Sequence, residues 1–156
     1  DALRIAGHPA QALDNLEEGY RLAAEIGHTW TLAATCYITG KVLTEVGRAR
    51  DAVGILRTGA GHSLAREDRI SALAAVNAIA VALVELGAPV DAAELFGLVD
   101  ALGPRFGFHP VASDGSYAEP FRARAAAGLG EEWDVARARG AARDFGWALD
   151  RAAAAA

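Results

Sequence analysis

The chain has 156 residues, of which 53% are hydrophobic and 22% charged, and its formal net charge at neutral pH is −5. This composition is typical of a folded globular domain and excludes an intrinsically disordered segment. The acidic balance, without any basic run, argues against direct contact with a nucleic-acid backbone, which clustered Lys and Arg would favour.

Three further features concern the compartment and the extent of the chain. The single cysteine, Cys36, has no internal partner for a disulfide, which fits a reducing cytoplasm. Charged residues interrupt the N-terminal segment, so no secretory leader is predicted, and the uncharged stretch 70–84 is too short to cross a bilayer. Because methionine is absent, even at position 1, we expect residues 1–156 to come from a longer protein. Together with the length and the single cysteine, these features predict one cytoplasmic domain over residues 1–156.

The most informative pattern is a repeat of about 40 residues. The segment that begins at Gly7 aligns with segments that begin at Gly47 and Gly87, and a weaker copy begins at Gly130. Each glycine follows an apolar helical pattern, where a helix C-cap is expected, so each copy predicts a helix, a tight turn and a second helix. We place the repeats near residues 7–29, 30–67, 68–103 and 115–150.

Two positions in each copy predict how the helices pack. An alanine stands five residues after each of the first three turn glycines, and a large apolar residue stands four residues after that alanine. The alanine is expected because antiparallel helices joined by a short turn approach closely at this position. The predicted structural positions are Gly47 and Gly87; Ala12, Ala52 and Ala92; and Leu16, Leu56 and Phe96. We expect the second helices to end near Gly27, Gly61 and Gly103.

These residues resemble tetratricopeptide-type repeats, lengthened from the usual spacing of about 34 residues. The resemblance implies an all-α protein, an α-α superhelix of helix-turn-helix repeats of about 40 residues. Residues 91–103 and 128–133 also resemble the last repeat in the helical arms of large ATP-binding bacterial transcriptional regulators of the LuxR and SARP types. That similarity implies a non-catalytic domain for protein–protein interaction or effector sensing. The alternative is a stand-alone adaptor that binds peptides or proteins and is unrelated to transcription.

The resemblance also implies a binding surface, because the first helices of stacked repeats line a concave face. The groove positions of tetratricopeptide repeats fall here on Tyr37, Lys41, Thr44, Asn77, Val81, Glu85, Tyr117 and Arg124. Tyr37 and Asn77 hold the same place in consecutive repeats, where a polar tip would hydrogen-bond a peptide or a partner helix; alternatively, both face solvent. The implied partners are a protein or peptide, other domains of the parent protein, or a second copy in a homo-oligomer.

Constellations that would carry catalysis are not apparent in the sequence. Lys41 follows Gly40 but precedes Val42, so it does not complete a phosphate-binding loop. The four histidines are isolated from one another, Cys36 lies on an apolar helix face, and Ser113 lies among turn-forming residues that predict a surface loop. We therefore expect no enzymatic activity, no metal and no cofactor in this segment.

Overall fold

The protein is described by a computed structural model that covers residues 1–110 and 116–156. Within these two ranges the structure has nine helices and no strand, which confirms the predicted all-α class. The helices are α1 (Ala2–Ile5), α2 (Pro9–Glu25), α3 (Thr29–Glu45), α4 (Ala49–Ala65), α5 (Arg69–Glu85), α6 (Pro89–Phe106), α7 (Glu119–Leu129), α8 (Glu132–Ala141) and α9 (Phe145–Ala155). None of the helices in the described ranges has the combination of length and apolar character needed to cross a membrane.

The turns between the first six helices follow one another at a constant spacing. Residues with a positive φ angle recur every 20 residues: Gly7 (79°), Gly27 (68°), Gly47 (79°), Glu67 (60°), Gly87 (76°) and Gly107 (77°). Helices α2 to α5 each span 17 residues, so that each turn takes up three. The 40-residue sequence repeat is therefore two units of one helix and one turn.

Two helices extend beyond the glycines that were expected to end them. Helix α4 continues past Gly61 and helix α6 continues past Gly103. A Cβ atom added at Gly61 would meet nothing within 4 Å, whereas at Gly103 it would lie 2.6 Å from the carbonyl oxygen of Phe108. The left-handed turn positions belong instead to Glu67 and Gly107, and the glutamate hides the fourth turn from a search for glycines.

We expect Glu67→Gly to stabilise the protein by about 1 kcal/mol, since a left-handed backbone costs an L-residue roughly 1–2 kcal/mol and glycine gives part of that back in unfolded-state entropy. The Glu67 side chain is exposed, so little packing is lost. Chemical denaturation of the two proteins measures the difference. The matched variant Gly27→Ala, at the equivalent turn, should be destabilised, and equal effects at both sites would contradict the assigned turn register.

The helices from α2 to α6 pack in sequence order, and α3 also contacts α5. The alanines that were expected at close helix approaches, Ala12, Ala52 and Ala92, are buried. Leu56 and Phe96 are fully buried, while Leu16, nearer the N-terminal end, is half-buried. Helices α3 and α4 are close enough that a Cβ atom added at Gly40 would lie 2.3 Å from Cγ of Leu56. Helix α5, contacted from several sides, forms the centre of the core.

The C-terminal part departs from the helix pair predicted over residues 115–150. Helix α8 packs chiefly against α6 and contacts α7 only slightly. The two backbones touch at Gly97 and Gly140: an added Cβ atom would lie 2.0 Å from the Arg137 carbonyl oxygen at the first and 1.7 Å from the Glu94 carbonyl oxygen at the second. This close crossing places α8 on α6, and α9 then folds back over α4, α5 and α6.

Candidate partner-binding surface

The residues predicted to form the binding face lie on three helices and in one adjoining segment. Helix α3 carries Tyr37, Lys41 and Thr44; helix α5 carries Asn77, Val81 and Glu85; Arg124 is on α7 and Tyr117 precedes α7. The contact between α3 and α5 places the first two sets side by side. The structure thus brings most of the set to one region, although it buries half of the residues.

Three of the predicted residues form an aromatic and cationic cluster. The Lys41 Nζ atom lies 4.2 Å from the ring centroid of Tyr117 and 5.2 Å from that of Tyr37. Lys41 is only 3% exposed. A second cation, the Arg4 guanidinium, lies 6.0 Å from the centroid of the Tyr117 ring. Aromatic faces attract such cations, and the attraction strengthens where water is excluded. Tyr117 therefore covers a part of the face that the sequence had predicted to be open to a ligand.

Two repeat-related carboxylates on this face are already paired. Glu85, near the end of α5, forms an ion pair with Arg124 of α7, and Glu45, at the equivalent place in α3, pairs with Arg4. Exposed pairs of this kind contribute little stability individually. They attach α1 and α7 to the C-terminal ends of α3 and α5.

Thr44 and Val81 are buried in the structure, whereas the sequence had assigned them to the open binding face. The Thr44 hydroxyl donates a hydrogen bond to the Gly40 carbonyl oxygen at 2.9 Å, so its polar atom is used within its own helix. Val81 lies in the hydrophobic core with no exposed surface. Helical spacing identifies which residues share a face, but not which neighbouring segment covers that face.

Asn77 differs from Tyr37, the residue that holds its place in the preceding repeat. Asn77 is 0% exposed, and neither Oδ1 nor Nδ2 has a hydrogen-bond partner in the described part of the chain. Tyr37 is half-buried. An unsatisfied buried amide costs roughly 1–3 kcal/mol, so such groups are rare in folded proteins and call for an explanation. Of the two alternatives for these residues, exposure of both side chains to solvent is therefore wrong for Asn77.

The open part of this surface is a groove between the N-terminal halves of α3 and α5. Its cavity of about 230 Å³ is flanked by Trp30, which is 54% exposed, and Ile70, which is 47% exposed. These two residues are 40 positions apart and hold the same place in consecutive repeats. The floor consists mostly of small residues, together with the buried Phe108, and Tyr37 also lines the groove. The small residues are Ala33, Ala34, Gly59, Ala74 and Ala75. We refer to this surface as the Trp30–Ile70 groove.

The two serine hydroxyls in the Trp30–Ile70 groove are used within the protein. The Ser63 hydroxyl donates to the Gly59 carbonyl oxygen at 3.1 Å, and the Ser71 hydroxyl donates to the Asp68 carboxylate at 2.7 Å. The groove therefore offers mainly apolar surface. Trp30 was not assigned to the binding face from the sequence; the signal that was missed is the large apolar residue, Ile70, at the same place one repeat later.

The side chains that could bind a metal or act as a nucleophile are not arranged for that chemistry in the described part of the chain. No group of three or more His, Cys, Asp or Glu side chains within the described ranges is arranged to hold a metal ion. Cys36 is fully buried, and burial raises the pKa of its thiol to about 11, so that the reactive thiolate is disfavoured at neutral pH. Ser113, which the sequence assigned to a surface loop, lies outside the described residues.

Comparisons with known proteins give no relative for this chain: no family model matches it, and neither a curated protein nor a solved structure matches it.

Proposed function

We propose that this chain is a non-catalytic module that binds an apolar segment of a partner protein in the Trp30–Ile70 groove. The observation that carries the proposal is the groove itself, in which two repeat-related apolar side chains stay exposed beside a floor of small residues. Exposed apolar surface rimmed by polar residues is typical of interaction sites. The cavity of about 230 Å³ is smaller than the roughly 300–1,000 Å³ of small-molecule sites, which favours the side chains of a protein partner.

Asn77 and Lys41 lie further along α5 and α3 than the Trp30–Ile70 groove, and both are buried. An unsatisfied amide and a buried lysine both reduce the stability that an apolar interior would give. A partner that displaces Tyr117 would reach Lys41, whose Nζ atom lies 4.2 Å from the Tyr117 ring centroid. In this proposal, the predicted binding residues Tyr37, Lys41, Asn77 and Tyr117 supply the polar groups that the partner meets next to the apolar groove.

The finer proposal is a tetratricopeptide-like superhelix that serves as the sensing arm of a cytoplasmic bacterial transcriptional regulator. Support comes from the turn spacing of 20 residues, from the contact between α3 and α5, and from the resemblance of residues 91–103 and 128–133 to such arms. The partner would then be an effector protein or another domain of the same regulator. The alternative remains a stand-alone adaptor, for which the parent protein would carry neither an ATPase nor a DNA-binding domain.

We expect the double variant Trp30→Ala with Ile70→Ala to abolish partner binding while leaving the fold intact. Peptides selected from a displayed helical-peptide library against the wild-type protein provide the probe. Their affinity should fall at least about tenfold in the double variant, which corresponds to roughly 1.4 kcal/mol. Because both side chains are about half exposed, the thermal unfolding midpoint should change little.

The matched control is Val135→Ala, which removes an exposed apolar side chain from α8, away from the groove. It should leave peptide affinity unchanged. A failure to select any binding peptide, or selected peptides that bind the double variant as tightly as the wild type, would rule out the groove as the binding site.

A further inference from the structure

Helix α9 occupies a groove that has a repeat-related counterpart elsewhere in the chain. It packs against α4, α5 and α6, and it buries Ala148 and Ala152 completely. The Arg57 Nε atom on α4 donates a hydrogen bond to the Leu149 carbonyl oxygen at 2.8 Å. The Arg151 Nε atom on α9 lies 2.6 Å from the Asp91 carboxylate on α6. The groove formed by α4, α5 and α6 is therefore a receptor for an amphipathic helix.

A shift of 40 residues maps this groove onto the one formed by α2, α3 and α4. That second groove holds a cavity of about 310 Å³, which we call the Glu17 crevice. Among its lining residues Leu13, Leu16, Thr39 and Ile55 are only half-buried, whereas Cys36 and Leu43 are buried. The counterparts of the four half-buried residues one repeat later are Val53, Leu56, Ile79 and Leu95, all of which are buried and belong to one hydrophobic cluster with Ala148 and Ala152 of α9. The two grooves have equivalent helices and similar apolar linings, but one is covered and the other is open.

The charged residues around the Glu17 crevice differ from those around α9, because a carboxylate replaces a guanidinium. Glu17 takes the place of Arg57, so the position that donates to the α9 backbone becomes an exposed carboxylate. Asp51 takes the place of Asp91 and is paired at 2.8 Å with Arg48, which lines the crevice together with Glu17. Arg48 is thus engaged with Asp51 and not with Glu17. A helix that carries a basic residue opposite Glu17 would be complementary to this rim.

We infer that the Glu17 crevice binds an amphipathic helix of a partner protein that presents small and apolar residues to α3 and a basic residue to Glu17. The occupant has the same packing chemistry as α9 with the opposite charge preference at one position. The crevice shares no lining residue with the Trp30–Ile70 groove, so this proposal goes beyond the proposed function, and the two can fail separately.

The probe is a pair of synthetic peptides: residues 144–156 of this chain, and the same peptide with Ala153→Lys. Ala153 is exposed and lies one helical turn after Leu149, whose carbonyl meets Arg57, so a lysine at this position would lie on the Glu17 side of the equivalent groove. Titration of the full chain with each labelled peptide, followed by fluorescence anisotropy, should show saturable binding. The Ala153→Lys peptide should bind about three- to fivefold more tightly, as expected for one exposed ion pair.

Reversal of the rim charge makes the test independent of folding effects. Glu17→Arg should reverse the order of the two peptides, since it restores the cation that Arg57 supplies beneath α9. Glu18→Arg, the same charge change on a neighbouring exposed residue outside the crevice, should leave the order unchanged. Thr39→Trp, which fills the crevice, should abolish binding of both peptides while circular dichroism shows an unchanged helix content.

Several outcomes would overturn this inference. Absence of saturable binding, or an order that Glu17→Arg leaves unaltered, would show that the crevice is not a helix receptor of this charge preference. Binding that is weakened by Arg57→Ala but not by Glu17→Arg would place the peptide in the groove of α9 itself. A homodimer that Glu17→Arg dissociates would make a second copy of the chain the occupant.

Discussion

Replacement of Gly140 by alanine is expected to separate α8 from α6 and to lower the free energy of unfolding by about 3 kcal/mol, the upper part of the usual range for overpacking. An added Cβ atom would lie 1.7 Å from the Glu94 carbonyl oxygen, and a backbone atom cannot turn aside as a side chain can. Gly97→Ala should act in the same way from the opposite helix. Denaturant unfolding, monitored by circular dichroism, measures the loss.

Gly61→Ala is the matched control for this prediction. Gly61 lies inside α4, where an added Cβ atom would meet nothing within 4 Å, so the substitution should stabilise the protein by up to about 1 kcal/mol through helix propensity. If Gly140→Ala were as stable as the wild type, α8 would not cross α6 in the way described. The ion pairs that Arg139 and Arg151 form with Glu94 would then also need another arrangement.

Substitution of Asn77 by leucine is expected to stabilise the protein by about 1–2 kcal/mol. Both amide atoms of Asn77 are buried without a hydrogen-bond partner in the described part of the chain, and a leucine of similar size removes that desolvation cost. The thermal unfolding midpoint should rise accordingly. The same variant should bind peptides selected on the wild type more weakly, because any hydrogen bond from Asn77 to the partner is lost.

Asn15→Leu separates this effect from helix propensity, because Asn15 is an exposed residue of α2. Its stability should change by only a few tenths of a kcal/mol. A clear loss of stability in Asn77→Leu, with Asn15→Leu unchanged, would show that the Asn77 amide is hydrogen-bonded in the folded protein. The proposed trade-off between stability and binding at this residue would then be wrong.

The helical content and the positions of most turns could be predicted because they depend on local signals. A glycine at a left-handed position and an alanine five residues later are visible in one sequence. The turn at Glu67 was not visible, because its residue type is poor for the conformation it adopts. The contact of Gly97 with α8 was also hidden. The repeat shows which residues hold equivalent places, but it does not show that α8 packs on α6 instead of on α7.

The candidate surface was predictable only at the level of helix faces. Spacing correctly grouped Tyr37 with Lys41 on one face of α3, but the approach of Tyr117 from a distant segment depends on how α7 docks. The burial of Asn77 and Val81 likewise depends on the several helices that pack around α5. The Trp30–Ile70 groove was within reach of the sequence, because large apolar residues recur there at the repeat spacing next to alanines.

The position of α9 has a consequence for the order in which the molecule loses structure. Stacked helices contact mainly their sequence neighbours, so a linear stack can unfold one unit at a time from either end. The bond between Arg57 and Leu149 joins residues 92 positions apart, and α9 spans three consecutive helices. It therefore couples α4, α5 and α6 into one cooperative unit, whereas α1 and α2, which lack such a cover, are free to open first. Amide hydrogens in α5 should exchange with solvent only when the whole domain unfolds.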